Sequence, residues 1–541
     1  MGIRFTLVVG VVLLVYGGMT LRLYGLQIER GEAFAVKAES QSADGRERSP
    51  LRGGIFFTDK NGSAIPAAIQ RYYPSVYAVP KSVENSRETA ERLAPILGVS
   101  AESLLPALEK KNDPFERLAR RVSEETASAV REAKLAGIAI ENIRTRYYPG
   151  GELGAHVVGF VTEGVGKYGI EAAYDSRLAG SAGGGREAES GEDIYLTIDR
   201  TIQAQAEKVL RDLTNAYGAE GGMVIVLEPK TGAVLALTAT PTFDPNAYGS
   251  AEMKRFLNPA VQAVYEPGSV FKVLTMAAGI DAGKVTPETE YTDTGEVVIG
   301  KYRIQNWDHK ANGRVTMTRV LERSINTGTV FVERAMGHET FYRYLERFGA
   351  GERTGIDLPG EVAGQVNYLN RGGDVEYATA SFGQGIALSP IRLLAAVASL
   401  GNGGVMLRPR LGAGEAVEEL GRPVSAETAR KVTEMMVRAV DGAEVAKIPG
   451  YSVAGKTGTA FVPDFARGGY TDEVINTYIG FAPAKNPRFV ALVRIDKPVG
   501  APVAGLTVVP AFRDLAQFIL NYYDTAPDRP EEVDVSLPAR R

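Results

Sequence analysis

The chain has 541 residues and a formal net charge of −4 at pH 7; 44% of its residues are hydrophobic and 23% are charged. This length and balance predict a folded protein with more than one domain, and the nearly neutral charge gives no reason to expect nucleic-acid binding. The absence of cysteine excludes disulfides, thiol nucleophiles and cysteine metal ligands. The three histidines lack metal-ligand spacing, so we expect neither a metal nor another cofactor.

An uncharged, mostly apolar stretch occupies residues 5–21. As a helix it is about 26 Å long, slightly short of the roughly 30 Å hydrocarbon core, and continuation to residue 26 would complete the span. We predict a single transmembrane anchor over residues 1–28, with Arg4 on the cytoplasmic side and the remaining chain outside the cytoplasm. A cleaved signal peptide is the alternative, which we favour less because no clear small-residue cleavage site follows.

Residues 29–190 are predicted to form a separate N-terminal domain. A polar stretch at 29–50 is followed from residue 51 by short strands mixed with charged helices, for example at 86–97 and 123–136. Three consecutive glycines at 183–185 and the charged residues after them predict a linker to the next domain.

Residues 191–523 are predicted to form a larger α+β domain. A strand at 193–199 and a helix from Thr201 open it, and the segment 271–440 is mainly helical. Five further segments have strand character and would form one antiparallel sheet drawn from both ends of the domain: 223–227, 233–237, 452–459, 476–481 and 489–495.

The last segment, residues 524–541, is rich in proline and charged residues. This composition predicts a disordered tail.

Ser269 and Lys272 form the only Ser-x-x-Lys of the chain, directly after a Pro-Gly pair. Apolar residues follow and predict a buried helix starting at Ser269. Residues three apart share one helix face, so the lysine amine can reach the serine hydroxyl. A serine needs such a base to become a good nucleophile.

Two further motifs follow in order. Ser324 and Asn326 form the only Ser-x-Asn, and Lys456-Thr457-Gly458-Thr459 lies between a predicted strand and a loop. Each motif alone is weak, and Ser-x-Asn alone is typical of a helix cap or turn. A second Lys-Thr-Gly, at 230–232, precedes Ser269 and is predicted to be a hairpin turn with a solvated lysine.

The ordered set of Ser-x-x-Lys, Ser-x-Asn and Lys-Thr-Gly marks the penicillin-interacting serine enzymes, and most of the chain resembles a class B penicillin-binding protein. The resemblance implies a transpeptidase domain of the penicillin-binding-protein/β-lactamase type, an antiparallel sheet with an α-rich subdomain, preceded by a pedestal domain. It also implies a D,D-transpeptidase that cross-links peptidoglycan stem peptides and is acylated by β-lactam antibiotics.

By this resemblance, Ser269 attacks a peptide ending in D-Ala-D-Ala and Lys272 acts as its base. Burial and the charge of Lys456 are expected to lower the pKa of Lys272. Ser324 would relay the proton to the leaving amine. Asn326 would hold Lys272 and the substrate amide.

The resemblance also supplies a binding surface. Lys456, Thr457 and Thr459 would bind the terminal carboxylate, and Gly458 would allow a close approach to the ligand. The backbone amides of Ser269 and Thr459 would form the oxyanion hole. Trp307, the only tryptophan, would line the cleft, although a buried core position is an equal alternative. Residues 382–385 resemble a family segment near the active-site floor.

The N-terminal half resembles the pedestal of class B enzymes through Arg52-Gly53, Asp59, residues 146–149 and residues 169–175. Asp59 lies two residues further from the Arg-Gly pair than is usual in the family, which predicts a bulge or a longer turn in the first strand. These residues are interpreted as turn and salt-bridge positions without a catalytic role.

Several functions remain open. A D,D-carboxypeptidase or β-lactamase would use the same serine, and a noncatalytic scaffold or penicillin sensor is a third possibility. No glycosyltransferase pattern is present, so we expect a membrane glycosyltransferase and other wall-synthesis proteins as partners. The Asn-Trp context and the Asn-Thr-Gly at 326–328 favour a role in division or sporulation over elongation.

Overall fold

The computed structural model describes residues 51–110, 113–181, 189–464, 467–500 and 503–533, together with the single residues Gly2, Tyr16 and Met19. The predicted anchor, apart from these three residues, and most of the predicted linker lie outside that set. Among the described residues, no helix combines the length and apolar character needed to cross a bilayer. The chain divides into two compact units, one of residues 1–53 and 176–192 and one of residues 54–175 and 193–541.

The described part of the smaller unit is held by short backbone pairings. Gly53 N donates to Leu178 O at 2.9 Å, and Gly191 N donates to Leu51 O at 2.7 Å. The amides of Ser181 and Glu189 donate to each other's carbonyls at 3.1 Å on either side of the predicted linker. These bonds bring the ends of the two segments of this unit together.

Up to residue 199 the elements are, in chain order, β1 (Ile55–Thr58), β2 (Ile65–Ala78), α1 (Ser86–Leu97), α2 (Ala101–Leu108), β3 (Glu116–Ala119), α3 (Glu124–Ala133), β4 (Ile138–Tyr147), α4 (Ala155–Val158), β5 (Val161–Thr162), β6 (Val165–Gly166), α5 (Gly169–Ala173), α6 (Asp175–Ala179) and β7 (Ile194–Asp199).

Five of these strands form a sheet in the order β3-β2-β1-β7, with β4 also paired to β2. The register between β1 and β2 shifts between Ile55 and Phe56, so the irregularity predicted for the first strand is present. The strand predicted at residues 193–199 is present as Ile194–Asp199, and it belongs to this N-terminal sheet. β7 lies parallel to β1, with Ile55 opposite Ile194, because β1 offers it an open strand edge far away in sequence.

From residue 200 the elements are α7 (Arg200–Tyr217), β8 (Gly221–Leu227), β9 (Val234–Thr240), α8 (Pro259–Gln262), α9 (Lys272–Asp281), β10 (Glu290–Asp293), β11 (Glu296–Ile299), β12 (Tyr302–Gln305), β13 (Gly313–Thr316), α10 (Met317–Arg323), α11 (Asn326–Met336), α12 (His338–Arg347), α13 (Asp374–Ala380), α14 (Pro390–Gly401), β14 (Met406–Leu407), β15 (Glu419–Gly421), α15 (Ala426–Ala443), β16 (Ala454–Pro463), β17 (Tyr470–Ala482), β18 (Phe489–Asp496) and α16 (Val508–Tyr522).

The predicted antiparallel sheet is present, with the order β16-β17-β18-β8-β9. All five predicted strand segments belong to it, and every pairing is antiparallel. One face packs against α7 and α16 through a core that includes Leu210, Phe489 and Phe512. β16, which carries the Lys-Thr-Gly motif, lies at the edge of the sheet, so one side of its backbone is not paired with another strand of this sheet.

Local sequence signals explain the helix that follows β7. Asp199 caps α7 by accepting hydrogen bonds from Thr201 N and Ile202 N at 2.8 and 3.0 Å. Gly218 ends the helix with φ +55°, a conformation that glycine adopts without strain.

The predicted disordered tail is wrong for residues 524–533. Ser452 N donates to Asp528 Oδ1 at 2.8 Å, and Arg529 makes two bonds to Asp441, at 2.9 and 3.0 Å. Charged residues that composition marks as solvated therefore pair with groups on the domain surface. Residues 534–541 lie outside the described residues.

Candidate active site

Ser269 lies on a single 3-10 turn, Gly268–Phe271, that leads directly into α9. The turn is seated on a loop, because Gly268 N donates to Gly383 O at 3.0 Å. A Cβ on Gly383 would lie 2.3 Å from the Gly268 carbonyl oxygen, so only glycine allows this contact. The helix predicted from Ser269 thus begins as 3-10, and Lys272 follows Ser269 by one turn.

Lys272 is fully buried, and its amine is held by the loop between α10 and α11. Nζ donates to Asn326 Oδ1 at 2.7 Å, to Ser324 O at 2.5 Å and to Ser324 Oγ at 3.2 Å. Burial, followed by repulsion from the charge of Lys456, holds the pKa of Lys272 well below its usual value. Both causes were predicted from the sequence.

Ser324 occupies the left-handed region with φ +54°, which is uncommon for a residue other than glycine. This conformation ends α10 and lets Asn326 begin α11 two residues later. Ser324 and Asn326 therefore both reach the Lys272 amine from one tight connection.

Lys456 approaches the same hydroxyl from β16. Its Nζ donates to Ser324 Oγ at 3.0 Å, to Thr457 O at 3.1 Å and to Thr457 Oγ1 at 3.3 Å. Lys456 is buried, and burial lowers the pKa of its amine to about 7. Ser324 Oγ consequently accepts hydrogen bonds from two amines and joins them in one chain.

Gly458 is required for β16 to pack on the turn that carries Ser269. A Cβ at this position would lie 2.7 Å from Val270 Cγ2 and 2.9 Å from Pro267 O. The sequence predicted a close approach to the ligand; the structure shows in addition a close approach to the turn that carries Ser269. Thr459 is partly exposed, and its Oγ1 accepts from Ala504 N at 3.2 Å.

Trp307 is 65% exposed, so the alternative of a buried core position is excluded. Its turn is attached to the site by two bonds: Asn326 Nδ2 donates to Gln305 O at 2.8 Å, and Thr327 N donates to Asn306 Oδ1 at 3.2 Å. The indole is therefore carried by a turn whose position relative to Asn326 is fixed.

A buried polar network behind this turn was missed by sequence reasoning. The carboxylate of Asp293 accepts from Thr327 Oγ1 at 2.7 Å, Asn306 Nδ2 at 2.9 Å, and Asn312 Nδ2 at 2.7 Å. It connects β10 and the Trp307 turn to the first turn of α11. The Asp-Thr-Gly at 293–295 was a usable turn signal, but nothing in the sequence placed it beside residue 327.

The remaining predicted positions have structural roles. Lys230 is exposed in the β8–β9 turn, where Gly232 has φ +69°, as predicted for the second Lys-Thr-Gly. Arg146 and Glu171 form a buried ion pair with Nε–Oε1 at 2.6 Å. Asp59 Oδ1 accepts from the amides of Asn61 and Ser63 in a turn.

Residues 222–517 match the penicillin binding protein transpeptidase domain, and residues 47–193 match the penicillin-binding protein dimerisation domain. The chain belongs to the penicillin-binding proteins. A dimerisation domain followed by a transpeptidase domain is the class B arrangement predicted from the sequence.

Individual relatives agree with this placement. The chain is 32% identical to stage V sporulation protein D of Bacillus subtilis, over 93% of this chain and 83% of that protein. It is 29% identical to the peptidoglycan D,D-transpeptidase FtsI of Escherichia coli, over 97% and 92%. The crystal structure of penicillin binding protein 3 from Mycobacterium tuberculosis, complexed with aztreonam, matches with a TM-score of 0.70 and 28% identity, over 89% and 98%.

Proposed function

We propose that this penicillin-binding protein is a serine D,D-transpeptidase that cross-links peptidoglycan stem peptides. The observation that carries the proposal is the pair of bonds that Ser324 Oγ accepts from Lys272 Nζ and Lys456 Nζ, with Lys272 one helical turn from Ser269. This chain of groups can take a proton from a nucleophile and return it to a leaving group.

In the acylation step Ser269 Oγ forms a bond to the carbonyl carbon of the penultimate D-alanine. Its proton moves to the neutral amine of Lys272, which can accept it because its pKa is lowered. The carbonyl becomes a tetrahedral oxyanion, which the amides of Ser269 and Thr459 stabilise. Ser324 Oγ then gives its proton to the leaving nitrogen and takes the proton held by Lys272, the tetrahedral intermediate collapses, the C–N bond breaks, and D-alanine departs.

Substrate orientation comes from β16 and from the Trp307 turn. Charged Lys456, with Thr457 and Thr459, holds the terminal carboxylate of the peptide. Asn326 donates to or accepts from the substrate amide while it keeps Lys272 in place. Trp307 offers an exposed ring against which the stem peptide packs.

In the second step an amine of a neighbouring stem peptide attacks the acyl-enzyme and restores Ser269. A D,D-carboxypeptidase or β-lactamase would use water at this point. Relatives named D,D-transpeptidases over nearly the whole chain favour the amine. The lowered pKa of Lys272 argues against a noncatalytic scaffold or sensor, because an inactive site has no need to bury an amine.

A fluorescent penicillin tests the nucleophile. We expect covalent labelling of the native protein, loss of labelling in Ser269→Ala, and unchanged labelling in the matched control Ser250→Ala, whose hydroxyl is exposed and bonds only locally to Ala247 O. Labelling of Ser269→Ala at the native rate would reject the assignment.

A stem pentapeptide with an added acceptor amine tests the reaction type. Transpeptidation yields one cross-linked product for each D-alanine released. Release of D-alanine without cross-linked product would establish a carboxypeptidase.

We also propose that the protein is anchored in the cell membrane by residues 1–28, with its catalytic domain outside the cytoplasm, and that it works beside a membrane glycosyltransferase. The uncharged stretch at 5–21 supports the anchor. Deletion of residues 1–28 should move the protein from the membrane fraction to the soluble fraction. Retention in membranes after deletion would contradict the anchor.

The sporulation and FtsI relatives and the Asn-Trp context support a septal role. A fluorescent fusion should concentrate at division or sporulation septa. Signal along the lateral wall, absent from septa, would reject this role.

A further inference from the structure

A small cavity is lined at the start of β16 by Gly455, Lys456 and Thr457. Its volume is about 100 Å³, and its lining is mostly apolar. The mouth is formed by Ala443 and Val445, both exposed at the end of α15. We name it the Lys456 cavity; it is lined by Leu321, Glu322, Ala439, Val440, Ala443, Val445, Ala446, Gly455, Lys456, Thr457, Tyr478, Gly505 and Val509.

Some polar groups of the lining already have hydrogen-bond or ion-pair partners within the protein, and the hydroxyl of Tyr478 has none in the described part of the chain. Lys456 Nζ donates to Ser324 and Thr457, and Glu322 pairs with Arg319 at 2.7 Å. Tyr478 is only 2% exposed, and among the described residues its hydroxyl has no hydrogen-bond partner. Buried hydroxyls are nearly always bonded, so the phenol is a buried donor of this cavity that a ligand can satisfy.

Gly455 shows how tightly that hydroxyl is placed. A Cβ on Gly455 would lie 1.9 Å from Tyr478 Oη, so the phenol sits directly over the backbone beside Lys456. The ring is fixed from behind by Phe512, with ring centroids 4.6 Å apart. A molecule bonded to this hydroxyl therefore lies next to the backbone of the Lys-Thr-Gly motif.

Size and chemistry define the class of ligand. An apolar cavity of about 150 Å³ holds benzene, so this one fits a molecule of roughly four to six non-hydrogen atoms, with some protrusion at the mouth. The mostly apolar lining disfavours charge, and the unpartnered phenol donor calls for one acceptor. A small cyclic ketone meets these requirements.

We propose that the Lys456 cavity binds a small uncharged molecule with an apolar body and one hydrogen-bond acceptor, which receives the Tyr478 hydroxyl, and that occupation slows acylation of Ser269. The effect on acylation rests on the proposed function. Lys456 and Thr457 form part of the wall, so a ligand that presses on them displaces the amine from Ser324 Oγ. Misplacement by about 1 Å at a catalytic centre costs about 10²-fold in rate.

Binding is tested with two probes of the same shape, cyclopentanone and methylenecyclopentane, by ligand-observed NMR. We expect the ketone to bind the native protein about fivefold more tightly than the alkene, the value of one hydrogen bond. Tyr478→Phe should remove that preference, and Ala439→Leu should abolish binding of both by filling the cavity. Equal binding of the two probes to the native protein, or no binding of either, overturns the proposal.

The effect on acylation is tested by attaching a small group at the mouth through an introduced cysteine. Because the chain contains no cysteine, an introduced thiol is the only one in the protein. Ala443→Cys is modified with propyl methanethiosulfonate, which places a propylthio group at the mouth. The matched control is Arg438→Cys, exposed on the same helix and outside the lining. Labelling by a fluorescent penicillin is then followed in time.

We expect acylation at least tenfold slower for modified Ala443→Cys, native rates for the unmodified variant and the modified control, and recovery after reduction with dithiothreitol. Equal rates for the two modified variants refute the link to catalysis. If the unmodified protein is not acylated at all, the proposed function fails, while the ketone measurement still decides whether the cavity binds its ligand.

Discussion

Replacement of Gly458 by alanine tests how closely β16 must approach the turn that carries Ser269. The added methyl would lie 2.7 Å from Val270 Cγ2 and 2.9 Å from Pro267 O. To reach ordinary contact at 3.4 Å, the two elements must separate by about 0.7 Å at Val270. Because both are packed in the core, the separation changes the position of Ser269 relative to the β16 backbone.

The magnitude follows from that displacement. A 1 Å misplacement costs about 10²-fold in rate, so we expect acylation of Gly458→Ala to slow by roughly 10- to 100-fold. Overpacking costs about 1–3 kcal/mol, so the free energy of unfolding should fall by that amount. Fluorescent-penicillin labelling gives the rate, and urea denaturation gives the stability.

Gly442→Ala is the matched control, since a Cβ at Gly442 in α15 meets nothing within 4 Å. Alanine is favoured over glycine within a helix by about 0.5–1 kcal/mol, so this variant should be slightly stabilised and acylate at the native rate. Equal acylation rates for the two alanine variants would refute the close-packing argument.

Three further predictions use the same assays. Burial lowers the pKa of Lys456 to about 7, so its charge is lost as pH rises through that value, and kcat/KM should fall above pH 7 because the substrate carboxylate is bound less tightly. Lys456→Arg should move this fall to higher pH. An unchanged pH profile in the variant would contradict the role of Lys456 in carboxylate binding. Asp293→Asn leaves buried donors unpaired, which costs about 1–3 kcal/mol of folding stability. We expect the acylation rate at saturating β-lactam to drop about 10²-fold, with little change in the Kd for the β-lactam. A change in Kd alone would argue against a role of Asp293 in positioning the site residues. Glu171→Ala removes the carboxylate that Arg146 Nε contacts in the buried ion pair, so urea denaturation should show a loss of about 3–5 kcal/mol in the free energy of unfolding. The folded variant should acylate at the native rate, and slower acylation would give the pair a role in the site.

The central sheet could be predicted because its strands have simple local signals. The segments at 223–227 and 489–495 are short apolar runs, and each became a fully buried strand. β7 has the same local signal but joined another sheet, because strand pairing depends on which edge is free in three dimensions. The prediction of a disordered tail was wrong for a related reason. Asp528 and Arg529 are charged, and their partners Ser452 and Asp441 lie far away in sequence, where composition does not record the contact.

In the candidate site, too, relations between residues close in sequence could be predicted, whereas contacts between distant segments could not. Ser269 and Lys272 are one turn apart, so their relation could be predicted from spacing alone. Trp307 could not be assigned, since an aromatic residue is typical of both a cleft and a core, and only its exposure decides between them. Asp293 was missed because its contacts join three segments across more than 30 residues, and no periodicity records such a contact.

The hydroxyl of Ser324 is shared by the amines of Lys272 and Lys456, and this arrangement bears on which amine can act as a base. Both amines donate to Ser324 Oγ, at 3.2 Å from Lys272 and 3.0 Å from Lys456, and two charged amines this close repel each other. Burial lowers the pKa of both amines, and repulsion from the charge of Lys456 lowers the pKa of Lys272 further. In the proposed mechanism Lys272 is the neutral base beside Ser269, and the lowered pKa of its amine favours that form. A carboxylate placed at Lys456 raises the pKa of the amine that it contacts. Under the proposed function, a bound substrate carboxylate would keep Lys456 charged, and the repulsion from that charge would hold the pKa of Lys272 low when the peptide arrives.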